Sequence, residues 1–256
     1  MTGEPKRKLR ETRVPVGEHD LFLRLSDDPA ATGPPVVLVH GYVISSRYMV
    51  PTAERLAPFY PVYALDLPGF GKSSRPRRAL DIPELADVLL QWMDATGLDR
   101  PVLVGNSMGC QVLVDLAARY PGRVGRLVLV GPSVDPEGRS IPAQLLRLLI
   151  DALRERPSLI GLFLADFWRA GLPRAWRTAR YAMADRVEDK MPLVKAPTLV
   201  VRGSRDPLVP LSWAEEMARR LSRDRLAVVP GGPHGLNYSR PADLVRAIRE
   251  FLAREV

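Results

Sequence analysis

Six short apolar runs constrain this chain more than any other feature. They read "PVVLVH" from Pro35, "VYALD" from Val62, "PVLVG" from Pro101, "RLVLVG" from Arg126, "PTLVVRG" from Pro197 and "LAVVP" from Leu226. Each is rich in Val and Leu, and none alternates apolar with polar residues. A strand with one wet face shows a period of two, whereas a strand buried on both faces is apolar throughout. Helical patterns separate the runs. Strands alternating with helices build a mostly parallel sheet covered on both faces, with right-handed crossovers.

The helical patterns carry their own punctuation. Asp81 caps a helix and Glu84 stands three residues on, a capping-box arrangement, with Leu85, Val88, Leu89 and Trp92 at helical spacing and Gly97 as the stop. Val112, Leu113, Leu116 and Ala117 form one face of a second helix. Near the end, Pro241 opens a helix with Leu244, Ala247, Ile248 and Phe251 on one side. Ahead of the first run, "RVPVGEHDLFLRL" reads as a hairpin turning at Gly-Glu-His-Asp, and residues 1–12 read as frayed. The alternation breaks between 133 and 195, where large apolar residues recur at helical spacing. The expected organisation is an α/β core of residues 1–132 and 196–256 with a helical cap, 133–195, inserted after the sixth strand.

Composition removes several classes of function. The 256 residues are 46% hydrophobic and 26% charged, as in a globular chain with a sizeable core. The net charge of +8 is spread over scattered arginines rather than a recognition motif, so no nucleic-acid partner is expected. No apolar run reaches the ~20 residues of a membrane span, and none follows the basic N-terminus as a signal would. The single cysteine, Cys110, allows no disulfide within the chain and is expected to pack a helix on the sheet. These features lead to the expectation of a cytoplasmic monomer or homodimer with no membrane partner. No Cys/His cluster has metal-ligand spacing, so no metal or cofactor is expected.

The chemistry concentrates at Gly105-Asn106-Ser107-Met108-Gly109, a G-x-S-x-G pattern between a strand and a helix. So sharp a turn strains the serine backbone and leaves no room for Cβ atoms two residues to either side. It projects the Ser107 hydroxyl from the carboxyl edge of the sheet, with the helix N-terminus behind it offering free N–H groups to an oxyanion. A serine nucleophile needs a base, and the base an orienting carboxylate. Of three histidines, His19 falls in the hairpin turn, His40 ends the first buried run and His234 follows the last, so His234 is the candidate base. Asp206 follows the strand "TLVVRG" and is the candidate acid, with Asp135 as its rival, while Asp66 reads as a loop-shaping carboxylate. Met108 N–H and Tyr42 N–H are the candidate oxyanion donors, Gly41 letting the backbone approach and His40 holding the loop. Phe163 and Phe167 in the cap, and Trp213 and Tyr238 beside the acid and base, are candidate substrate contacts.

With "HGY" at His40, "DLPGFGKS" at Asp66, "GNSMG" around Ser107, "GSRDPLVP" around Asp206 and "GGPHGLNYSRP" around His234, the chain resembles the α/β-hydrolase fold family. The resemblance implies the nucleophile, base and acid at Ser107, His234 and Asp206, the oxyanion donors at Tyr42 and Met108, and a lid at 133–195. Within the family the chain is similar to small serine esterases and to carbon–carbon bond hydrolases of aromatic meta-cleavage pathways. The latter tend to carry a tryptophan after the histidine, where Gly235 stands here. Serine at 107 also separates the chain from members that use an aspartate nucleophile. The expected activity is hydrolysis of a small to medium apolar ester through an acyl-enzyme. Carbon–carbon hydrolysis, acyl transfer, perhydrolysis or lyase chemistry on the same triad, and a low-turnover ligand receptor, are the alternatives.

Overall fold

The computed structural model describes residues 6–26, 28–221 and 225–254. Strands β1 (Arg10–Val16) and β2 (His19–Ser26) form a hairpin, followed by β3 (Val36–Val39), α1 (Val50–Leu56) and β4 (Val62–Leu65). Then come α2 (Ile82–Ala95), β5 (Val102–Asn106), α3 (Met108–Arg119) and β6 (Arg126–Val130). Four helices intervene before the next strand: α4 (Ile141–Ala152), α5 (Pro157–Ala170), α6 (Leu172–Ala184) and α7 (Val187–Lys190). The chain ends with β7 (Thr198–Gly203), α8 (Leu211–Leu221), β8 (Leu226–Val229), α9 (Leu236–Ser239) and α10 (Pro241–Leu252).

The eight strands form one sheet in the order β1-β2-β4-β3-β5-β6-β7-β8. β2 runs antiparallel to both its neighbours, and every pair from β4 through β8 is parallel. Successive residues of the central strands serve two cores. Val37, Val39, Leu103 and Leu127 pack into a cluster with Trp92 of α2 and Leu113 of α3. Val36, Leu38, Val102 and Val104 join Leu56 of α1 and Ile248 of α10 on the opposite face. That division explains the unbroken apolar runs. β8 closes the sheet at its edge, where Val228 is exposed.

The capping box of α2 forms as read: Glu84 N–H donates to Asp81 Oδ1 and Asp81 N–H to Glu84 Oε2, each at 2.9 Å. The hairpin differs from expectation at both ends. It closes through two residues, Gly17 at φ +54° and Glu18, so His19 opens β2 as a buried strand residue rather than sitting in a turn. β1 also begins at Arg10, inside the segment expected to fray, because Arg10–Thr12 pair with Leu23–Leu25. Residues 1–5 of that segment lie outside the described residues.

Three backbones meet at glycine distance at the centre of the sheet. A Cβ on Gly109 would stand 2.5 Å from the Val39 carbonyl oxygen and 2.7 Å from that of His40. A Cβ on Gly105 would stand 2.8 Å from the Gly109 backbone. The start of α3 therefore rests directly on the ends of β5 and β3, with no side chain between. Gly109→Ala should lower stability by about 1–3 kcal/mol in chemical denaturation, because the new methyl meets backbone that cannot swing away. Gly122→Ala, where a Cβ meets nothing within 4 Å, should stay within about 0.5 kcal/mol.

Candidate active site

The chain adds β4 on one side of β3 and β5 on the other. Connections leaving β3 and β5 therefore diverge, and a crevice opens at their carboxyl ends. The turn after β5 holds Ser107 at φ +53°, ψ −122°, in the left-handed region that disfavours a side chain. Its surroundings hold that conformation. Ser107 N–H donates to the Val130 carbonyl at 3.0 Å, and Cys110 N–H to the Ser107 carbonyl at 2.9 Å. The Asn106 amide donates to Val130 at 3.1 Å and to the His234 carbonyl at 3.4 Å, tying the serine turn to the histidine loop. The Cys110 thiol donates to the Gly105 carbonyl, and burial pushes its pKa well up, so it packs rather than reacts.

The fold brings Asp206 and His234 together: His234 Nδ1 and Asp206 Oδ2 are 2.8 Å apart. The other Asp206 oxygen accepts Leu208 N–H at 2.8 Å and Val209 N–H at 3.2 Å, which fixes the orientation of the carboxylate. The rival Asp135 is engaged elsewhere, with Arg147 and with Gly138 N–H at 2.7 Å. Gly131 clears the space for the pair, since a Cβ there would stand 3.0 Å from the His234 ring. The remaining imidazole nitrogen, Nε2, is buried with no hydrogen-bond partner among the described residues. The Ser107 hydroxyl bonds instead to the Ser133 hydroxyl at 3.0 Å. Ser133, Gly131 and the tether from Asn106 escaped the sequence reading, because each acts across strands that only the fold brings together.

Two further carboxylates approach His234 from the helical segment. His234 N–H donates to Asp151 Oδ1 at 3.0 Å, and Glu155 accepts from Gly235 N–H and from the Ser239 hydroxyl. Burial is the largest influence on His234 and opposes its charge. The combined attraction of Asp206, Asp151 and Glu155 outweighs it and raises the pKa to about 9. Burial likewise raises Asp151 to about 6 against the pull of His234. No sequence pattern pointed to Asp151 or Glu155.

The loop after β3 passes beside the serine: a Cβ on Gly41 would lie 3.1 Å from Ser107 Cβ. His40 Nε2 accepts Leu67 N–H at 2.9 Å, leaving the ring proton on Nδ1 to donate to the Gly41 carbonyl at 2.9 Å. Burial lowers its pKa, so the ring stays neutral and holds the loop. Asp66 shapes its own loop by accepting Ser46 N–H at 2.6 Å and Lys72 N–H at 2.7 Å. The Tyr42 hydroxyl donates to Ala175 on α6 at 2.9 Å.

Ser107, His234, Tyr42 and Met108 all border one cavity of about 510 Å³ beneath α4, α5 and α6. Its wall is largely apolar and includes Phe163 and Phe167, whose rings stack at 6.1 Å. The other two candidate contacts lie elsewhere. Trp213 is buried and donates its indole N–H to the Pro132 carbonyl at 3.2 Å, and the Tyr238 hydroxyl donates to Ser158 at 3.1 Å. Gln111, which no motif marked, also borders the cavity, with its Oε1 buried and unpartnered among the described residues.

The sheet order, the strained serine turn and the histidine–aspartate pair agree with a family-level match over residues 36–247, and the chain belongs to the alpha/beta hydrolase family. Among its relatives is the pimeloyl-[acyl-carrier protein] methyl ester esterase of Neisseria meningitidis serogroup B, 30% identical over 85% of this chain and 92% of that protein. A membrane phospholipase A described as a bacterial virulence factor superposes with a TM-score of 0.82 at 26% identity, covering 96% of this chain and 86% of its own. A thermophilic esterase from Thermogutta terrifontis shares the fold at a TM-score of 0.80 and 24% identity, over 95% of this chain and 98% of its own.

The charged His234 has a consequence for folding. Its folded pKa lies above the ordinary 6.5, so the stabilisation is complete below pH 6.5 and is lost as pH rises through about 9. Denaturant melts should show stability falling across that interval. In Asp206→Asn the fall should shrink, because the strongest attraction on the imidazolium is gone.

Proposed function

We propose that the protein is a serine hydrolase that cleaves an apolar carboxylic ester, with Ser107, His234 and Asp206 as its triad and residues 133–195 as a cap over the site. One observation carries the reading. An Asp206-oriented imidazole with its second nitrogen open faces the same cavity as a serine strained at the start of a helix. Neutral His234 takes the Ser107 proton through Nε2 as Oγ attacks the carbonyl carbon. The developing oxyanion lies against the N–H groups of Tyr42 and Met108, where each donor lowers the barrier by about 3 kcal/mol. The imidazolium then protonates the departing alkoxide, and water repeats the sequence on the acyl-enzyme. Asp206 fixes the imidazole tautomer and stabilises its charge throughout.

The cavity supports a medium-sized apolar substrate. At about 510 Å³ it falls in the range of small-molecule sites, and leucine is the commonest residue of its wall. The relative named as a pimeloyl-[acyl-carrier protein] methyl ester esterase adds weight to ester hydrolysis. Before attack, the Ser107 hydroxyl has to exchange its Ser133 partner for His234.

Ser107→Ala should abolish labelling by a fluorophosphonate probe and reduce p-nitrophenyl ester turnover by about 10⁴-fold or more, with the fold intact by circular dichroism. Labelling that survives the substitution would exclude Ser107 as nucleophile. The base works only when neutral, so kcat/KM should climb with pH through a midpoint near 9 and level off above it. In Asp151→Asn the climb should move to lower pH, since one negative neighbour of the imidazolium is lost.

A further inference from the structure

The outer side of the helical segment between β6 and β7 differs from the rest of the surface. Large apolar side chains that stand exposed among the described residues cluster there: eight fall between Leu145 and Trp176, against Leu193, Leu211 and Val228 elsewhere. The most exposed are Leu153 at 88%, Trp168 at 72%, Leu149 at 66%, Leu172 at 61%, Leu146 at 60% and Trp176 at 56%. Leaving that much leucine and indole in water is unfavourable, and such a patch marks a surface that meets an apolar partner. Leu149, Leu172 and Trp176 also border the cavity, so its mouth opens within the patch.

Charge is uneven along the stretch that carries these side chains, and the exposed acids Glu137 and Asp189 fall on either side of it. Residues 139–184 contain eight arginines and three acids, Asp151, Glu155 and Asp166. None of the acids is exposed, whereas Arg154, Arg156, Arg169, Arg177 and Arg180 are. The face therefore offers leucine, tryptophan and arginine to its surroundings without an exposed carboxylate.

We propose that this face docks on an anionic lipid surface. Leu146, Leu153 and Trp168 enter the boundary between headgroups and acyl chains, and the arginines meet the lipid phosphates. Indole rings favour that boundary, where one edge is apolar and the other wet. A second copy of the chain fits less well, because a two-fold interface would set arginine against arginine. Continuity of patch and cavity favours lipid over an acidic protein. An acyl chain leaving the bilayer passes Leu149 and Trp176 into the cavity without crossing water. That delivery step rests on the ester-hydrolase reading; the docking does not. Peripheral docking needs no membrane-spanning segment, and no helix among the described residues is long and apolar enough to be one.

The test is flotation of the full chain, carrying Ser107→Ala, with vesicles of phosphatidylcholine alone or mixed with phosphatidylglycerol. Binding should favour the mixed vesicles and weaken with salt. The triple variant Leu146→Ser, Leu153→Ser, Trp168→Ser should bind about tenfold more weakly or worse. With Ser107 restored, that variant should hydrolyse a soluble p-nitrophenyl acetate at the unaltered rate, since none of the three residues borders the cavity. Arg177→Glu with Arg180→Glu should weaken binding to the mixed vesicles by about tenfold or more while leaving binding to phosphatidylcholine unchanged. Failure to bind the mixed vesicles, or equal binding by the triple variant, overturns the proposal. Dimerisation in sedimentation velocity that the triple variant abolishes, without vesicle binding, would assign the face to a second copy instead. Vesicle binding by a protein that proves inactive on every ester would leave the docking standing and remove the hydrolase reading.

Discussion

The close approach of three backbones at Gly105, Gly109 and the end of β3 is the constraint on which the rest depends. With no Cβ between them, α3 starts against the sheet and the chain turns within one residue. That residue, Ser107, takes the strain of a positive φ. The same contact brings the loop of Gly41 and Tyr42 beside the serine. Displacing α3 outward by a methyl group would move the hydroxyl, the helix N-terminus and the neighbouring loop together.

Electrostatics around His234 add a second layer. In the proposed mechanism Asp206 is sufficient to orient an imidazole and stabilise its charge, yet Asp151 also bonds the His234 backbone and Glu155 the next residue. Both come from α4 and the turn after it. The helical segment is therefore fastened to the histidine loop by the same carboxylates that raise the imidazole pKa. Position of the segment and basicity of the histidine are coupled: if α4 moves away, His234 loses two negative neighbours. The outer face of the segment carries the apolar and basic side chains proposed to meet lipid, so an event at that surface has a short physical path to the histidine.

Much of the fold and candidate site was legible because it rests on local pattern. Unbroken Val/Leu runs marked the central strands, Asp81 and Glu84 marked a helix start, and glycines two residues either side of Ser107 marked a tight corner. Asp206 and His234 were legible from their places after strands, since parallel strands deliver their following loops to one edge. The hairpin misled at His19 because local polarity resembled a turn, while pairing with β1 drew the residue into the strand. Trp213 and Tyr238 lie close to the acid and base in sequence, but their side chains point to Pro132 and Ser158.

The sequence by itself determined the layered α/β architecture and the order along the chain of Ser107, Asp206 and His234, the residues proposed as nucleophile, acid and base. Those depend on residue type and on periodicities that a single strand or helix imposes. Only the tertiary structure decided which groups touch. It paired Ser107 with Ser133, set Gly131 behind the imidazole, tied Asn106 to the histidine loop, and brought Asp151 and Glu155 from the inserted helices. It also decided which leucines and tryptophans of those helices face inward and which face out, because a helix apolar on several sides does not reveal from its sequence which side the sheet will cover.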